Sequence, residues 1–321
     1  MPLSGVCDDS DVTERLSTIA DRVTAVPLET NATCRIDRPE KVICSGHNVF
    51  VLCDNLIYRF GRNGNFQNRI SLQSDSRILD YTVNPQQQQL IVLDRSRQIH
   101  FCTFDGAERK QEDLSAPAGK FELKHIACHS NALWFTFEHL SPENIFENGL
   151  LRFDLADRST ECFDLPDVDL GRRSVHRHFE PEFAVSENMP YIYSPFAERG
   201  NILRDTLYLL AHEAFDSRRA KMPFCIYPVR IGRRYLIASY CENTERRSNF
   251  LFVFDRNSRT SFEMNGFRDD FFGTGVVTDI QPLNTDGSEY YFYKTGKDAA
   301  KLFPERDEPD NPVLFFVRLN G

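Results

Sequence analysis

The residues best equipped for chemistry form a run of cations in the middle of the chain. His176-Arg177-His178 lies beside Arg172-Arg173, and Tyr191, Tyr193 and Arg199 follow within the next twenty or so positions. Guanidinium groups recognise carboxylates through two parallel hydrogen bonds, and tyrosines present flat faces to sugars or peptides. The stretch from Gly171 to Arg204 is also the longest with weak strand signals. Loops can carry a binding site without disturbing a packed core, so this insert is read as the rim of a ligand pocket. Its candidate binding residues are Arg172, Arg173, His176, His178, Tyr191, Tyr193 and Arg199.

Other chemistry is thinly signalled. His125 and His129 are four apart in a segment that reads as a strand, where two such residues stand about 13 Å apart, too far for one ion. The chain has no Gly-x-Ser-x-Gly, no glycine-rich phosphate loop and no His-Glu-x-x-His. Carboxylates abound, but no spacing selects a catalytic pair. No catalytic residue, metal ligand or cofactor is therefore assigned.

The elements that must position these residues repeat. Leu56 to Gly64, Ile99 to Gly106, Leu150 to Asp157 and Leu251 to Asn257 share one pattern, a strand ending in Phe and then a turn rich in Asp, Asn and Gly. Their phenylalanines, Phe60, Phe104, Phe153 and Phe254, are separated by 44, 49 and 101 residues, so one copy has drifted within the last interval. Each is preceded by a nearly continuous apolar run: Asn48 to Asp54, Gln89 to Asp94, Ala132 to Phe137 and Tyr235 to Tyr240. Such runs suit a strand buried on both faces. A period of about 40 to 50 residues marks the four-stranded blade of a propeller, and six blades of about 48 residues account for most of the 321.

The expected fold is thus all-β, a six-bladed β-propeller of four-stranded antiparallel blades. The blades are read as Lys41 to Leu72, Ile78 to Leu114, Leu123 to Leu165, Phe183 to Pro223, Cys225 to Met264 and Val276 to Leu319. An N-terminal strand, Val23 to Leu28, is expected to close the ring beside Leu314 to Leu319. Residues 1–22 are read as an extension with a short helix, since Asp11 to Glu14 has capping-box spacing and Val12, Leu16, Ile19 and Val23 fall on one helical face. Residues 23–321 form the single propeller domain, with a second helix-capable stretch from Lys297 to Phe303.

With 47 acidic and 38 basic side chains the net charge is −9, which argues against a nucleic-acid partner. No apolar run is long enough to span a bilayer, and the first residues lack the basic and apolar regions of a signal peptide, which by itself reads as cytoplasmic. The nine cysteines are scattered, mostly within apolar strands, and read as small hydrophobes; Cys44 with Cys53 is the best disulfide candidate.

Several segments resemble one family. Pro27-Leu28-Glu29, Ile57 to Ile70, Tyr193 to Tyr208, Thr278 to Pro282 and Asp310 to Leu319 together look like the six-bladed β-propeller proteins common in Bacteroidetes. The loop that usually follows the first blade is replaced here by Gln73 to Arg77. The resemblance implies the same fold and a place in the cell envelope, periplasmic or lipid-anchored. It supplies no reaction. The favoured expectation is a monomeric, noncatalytic binding or scaffold protein that holds a protein or carbohydrate ligand at a propeller end face. The alternative is a hydrolase or lyase acting on a carbohydrate or lactone at the central channel.

Overall fold

A computed structural model describes residues 13–72, 76–165, 167–169, 177–178, 182–186, 189–193, 196–198, 201–204, 207–209, 214–215, 224–231, 234–242, 248–284, 288–300, 302–304 and 310–321. These residues are almost entirely β. Six four-stranded antiparallel sheets succeed one another along the chain, the third extended by a short fifth strand. Sheet one comprises Lys41–Ser45, Asn48–Cys53, Leu56–Gly61 and Phe66–Ile70. Sheet two comprises Ile78–Asn84, Gln89–Asp94, Gln98–Thr103 and Glu108–Asp113. Glu122–His129, Ala132–Leu140, Ile145–Asp154 and Thr160–Asp164 make sheet three. Glu182–Ser186, Met189–Tyr193, Leu207–Leu209 and Ala214–Phe215 make sheet four. Phe224–Ile231, Tyr235–Glu242, Ser248–Asp255 and Thr260–Met264 make sheet five.

The recurring motif has one structural meaning. The apolar runs are the second strands of their sheets, and the Phe-ending copies are the third strands, closing at a turn that leads to the fourth. The turn residues bond their own backbone: Asp154 Oδ1 accepts from Ala156 N and Asp255 Oδ1 from Asn257 N, both at 2.9 Å. In sheet four the third strand is Leu207–Leu209. A three-stranded sheet of Arg177–His178, Phe196–Glu198 and Asn201–Arg204 flanks that sheet's first two strands along the chain.

Sheet six is assembled from both ends of the chain. Gln281–Pro282, Tyr290–Lys294 and Val313–Leu319 are joined by Ala20–Pro27, which pairs antiparallel with Val313–Leu319 from Ala20 opposite Leu319 to Pro27 opposite Val313. The expected pairing of the N-terminal strand is therefore present, and it begins three residues earlier than Val23.

The helix expected through Leu16, Ile19 and Val23 is not formed; Asp11 and Val12 lie outside the described residues. Thr13–Arg15 instead pairs in parallel with Gly266–Arg268, Leu16–Thr18 is one 3₁₀ turn, and the chain is extended from Ala20. Two neighbouring segments satisfy the backbone that a helix would have bonded internally. Leu16, Ile19 and Val23 still converge on one apolar cluster, because a strand and a tight turn can place them together as a helix would. Val276–Val277, read as the start of the last blade, belongs to this small sheet instead. The later helical signal is a single short helix, Gly296–Ala300.

Among the described residues six apolar clusters join the sheets in order. Ile43, Phe50 and Ile57 of sheet one pack with Ile78, Tyr81 and Val92 of sheet two. Ile91 and Phe101 of sheet two meet Phe135 and Phe153 of sheet three. Trp134 and Leu150 meet Ile192 of sheet four, and Tyr193 meets Ala238 of sheet five. Ile237 and Val253 of sheet five pack with Phe292 and Phe315 of sheet six, and Val26, Tyr291 and Leu314 of sheet six pack with Val42, Val51 and Phe60 of sheet one. That last contact is tight. Gly64, at φ +91°, lies so close to Pro27 that an added Cβ would sit 2.1 Å from the Pro27 carbonyl oxygen.

Two outcomes follow. Gly64→Ala should cost about 2 kcal/mol or more in chemical unfolding, from the left-handed backbone and the collision with Pro27 together. Removing residues 1–28 should expose the apolar edge of Val313–Leu319 and abolish soluble monomer, read by size-exclusion chromatography; a stable, monodisperse truncation would mean that this strand is dispensable.

Candidate functional site

The first strand of each sheet has a backbone edge that its own sheet leaves unpaired, and a buried N–H without a partner is costly. In the first strand of sheet three this edge is served by side chains of sheet two. Ile126 N donates to Asp80 Oδ2 at 3.0 Å, and Cys128 N donates to Thr82 Oγ1 at 3.1 Å. Both partners advance by two residues, so the first strands of sheets two and three run side by side in the same direction. The edge of sheet one is served by sheet six: Val42 N donates to the Tyr291 hydroxyl oxygen at 3.2 Å and Cys44 N to the Leu283 carbonyl at 2.6 Å.

Asp80 is the centre of these contacts between sheets. Its side chain is 4% exposed, and it accepts four donors from three sheets. Lys41 Nζ, from sheet one, and Tyr81 N both reach Oδ1 at 2.7 Å. Oδ2 takes Ile126 N and, at 3.4 Å, His125 Nδ1 of sheet three. Lys41 and His125 are 33% and 40% exposed, so a buried anion holds two solvent-accessible basic side chains. The residues sit beside register breaks: one falls between Ile78 and Asp80, the other between Leu123 and Ile126, where Lys124 and His125 occupy the bulge.

Burial alone would raise the Asp80 pKa. The Lys41 charge and the hydrogen bonds from His125 and Lys41 outweigh it and hold the carboxyl at about 2. Asp80 is therefore ionised throughout the physiological range and has no role as a proton carrier there. Beneath it Tyr81 is fully buried, donates its hydroxyl to the Phe50 carbonyl at 2.7 Å, and is pushed well above the ordinary tyrosine range by burial. Lys124, beside His125, is paired with Glu122 and Glu138, each at 2.8 Å.

The residues singled out in the sequence fall elsewhere. Arg172, Arg173, His176 and Arg199 lie outside the described residues. His178 occupies a register position opposite Phe196 in the inserted sheet. The Gly171 to Arg204 stretch is less strand-poor than it reads, because it contains the first two strands of sheet four. Tyr191 and Tyr193 belong to the second of these; Tyr193 is 4% exposed in the cluster against sheet five, and the partly buried Tyr191 packs beside it. His125 and His129 share one strand as expected and do not converge: His125 turns to Asp80, while His129 Nε2 bonds the Ser130 hydroxyl at 2.8 Å. Lys41 and Asp80 were missed, since an isolated Lys and Asp carry no local signal.

Cys44 and Cys53 are both free and buried, so the disulfide considered for them is not formed. Burial raises the thiols of Cys34 and Cys128 to about 11 and that of Cys102 to about 12, which makes them poor nucleophiles. Among the described residues no group of three or more His, Cys, Asp or Glu is arranged to hold a metal ion, and no helix is long and apolar enough to cross a membrane.

No family model and no curated protein matches the chain. Among solved structures it is similar to the crystal structure of a Bacteroides fragilis protein described by name as an inferred exported protein. The two are 13% identical, with a TM-score of 0.67 over 96% of this chain and 99% of that one. At this identity the likeness carries the fold alone.

The ionised Asp80 contributes stability above pH of about 4, its unfolded range, and that contribution, roughly 2 kcal/mol, is lost as pH falls toward about 2. Asp80→Asn lacks it. The variant should lose about 3 kcal/mol at neutral pH and show a shallower acid decline across that window in urea unfolding; parallel acid limbs would show that Asp80 is not held ionised by folding.

Proposed function

We propose that the chain is a six-bladed β-propeller, closed by its N-terminal strand, that acts as a noncatalytic binding protein. The cyclic order of the six apolar clusters supports the ring, since the last joins sheet six back to sheet one. In such a ring the first strands line the centre, and Asp80 brings Lys41 of sheet one and His125 of sheet three together there. The observation that carries the binding reading is Asp80: all its hydrogen-bonding capacity is spent on bridging three sheets, which fixes Lys41 and His125 in place as a binding surface requires. Arg172, Arg173, His176, His178 and Arg199 remain proposed contributors from the segments around sheet four. A place in the cell envelope is part of the same reading, and the likeness to a protein named for inferred export supports it.

The second reading is a hydrolase or lyase acting on a carbohydrate or lactone. It is favoured by one feature, the His125 imidazole oriented through Nδ1 by a buried, ionised carboxylate, as general bases often are.

A glycan and peptide array with the purified chain, followed by mass spectrometry of every retained ligand, separates the two. Ligands recovered unchanged are expected. Cleaved or unsaturated products that vanish in His125→Ala would establish the enzyme instead.

A further inference from the structure

The wall around Asp80 is rich in donors and poor in acceptors. The single carboxylate there is answered by an ammonium, an imidazole and two backbone N–H dipoles. Glu122 and Glu138, two other acids of sheet three, are paired with Lys124. Lys41 spends one ammonium proton on Asp80, and its Nζ also lies 5.6 Å from the centre of the Tyr81 ring, whose face favours a cation. The ammonium is thus held in place while its side chain stays one-third exposed. A ligand meeting this surface must bring acceptors, and a charged donor pairs most strongly with a charged acceptor.

We infer that Lys41, steadied by Asp80 and flanked by His125, anchors an oxyanion subsite that takes the carboxylate or phosphate group of a small ligand. This rests on the binding reading above and adds the ligand's chemical class. It also accounts for why the cluster draws one basic group from sheet one and another from sheet three around a carboxylate of sheet two. The buried carboxylate holds two basic side chains that both stay partly exposed.

The test is isothermal titration calorimetry at low salt with D-galacturonate, inorganic phosphate and D-galactose. The wild-type chain, Lys41→Gln and Lys41→Arg are compared, with folding checked by circular dichroism. At least one of the two anions should bind, the tighter of them naming the carboxylate or the phosphate source, and galactose should not. Lys41→Gln should weaken anion binding roughly 10- to 100-fold, the loss of one charge-assisted hydrogen bond, and Lys41→Arg should recover most of it. Unchanged anion affinity in folded Lys41→Gln would overturn the subsite, as would a wild-type chain that ignores both anions or binds galactose equally well. If the array still returns ligands bound intact in that case, the binding reading stands without the anion. If it returns none, both fall.

Discussion

A sheet that starts with a strand facing its neighbours rather than another strand leaves a row of backbone N–H groups to be satisfied, and the rest of this structure depends on how that is done. Sheet two lends Asp80 and Thr82 to the edge of sheet three; sheet six lends Tyr291 and the Leu283 carbonyl to the edge of sheet one. Sheets that met only through apolar faces could slide, because dispersion contacts are non-directional. These polar rungs have defined partners, so they set how far one sheet stands along the next. Asp80 does most in this respect, being tied to Lys41, Tyr81, His125 and Ile126 at once.

The same logic of directional contacts inside apolar packing recurs. In sheet two the buried His100 bonds Asp94 through Nε2 at 3.1 Å, linking the end of the second strand to the third. Asp94 is held below its usual range: burial would raise it, but Gln98 N, Ser96 and His100 together prevail. Where the chain's two ends meet, the buried Asn311 accepts from Ile36 N at 2.6 Å and donates to the Glu29 carbonyl at 2.6 Å, so the approach to sheet six and the approach to sheet one are joined by one side chain.

A binding surface gains from such anchoring. Long basic side chains on an open surface lose conformational freedom when they engage a ligand. Lys41 and His125 have already lost part of theirs to Asp80. Because the carboxylate that restrains them is ionised at any physiological pH, the restraint does not come and go with proton uptake at Asp80. The architecture and the proposed ligand chemistry thus draw on one interaction.

The sequence alone determined what depends on neighbours along the chain. Alternation and apolar runs marked the second and third strands, and Asp, Asn and Gly marked the turns, because period and turn chemistry are local. The spacing of Phe60, Phe104, Phe153 and Phe254 disclosed the repeat, and the strand that pairs with Val313–Leu319 was legible as an apolar segment with no partner nearby. Only the tertiary structure decided what depends on distant partners. Leu16, Ile19 and Val23 have helical spacing, yet pairing with Gly266–Arg268 and Val313–Leu319 supplies the hydrogen bonds that make the segment extended. Tyr193 looked free to meet a ligand and is enclosed by sheet five. Lys41, Asp80 and His125 come from three repeats, 39 and 45 residues apart, and share a site because the first strands of successive sheets lie edge to edge, a relation that no local pattern encodes.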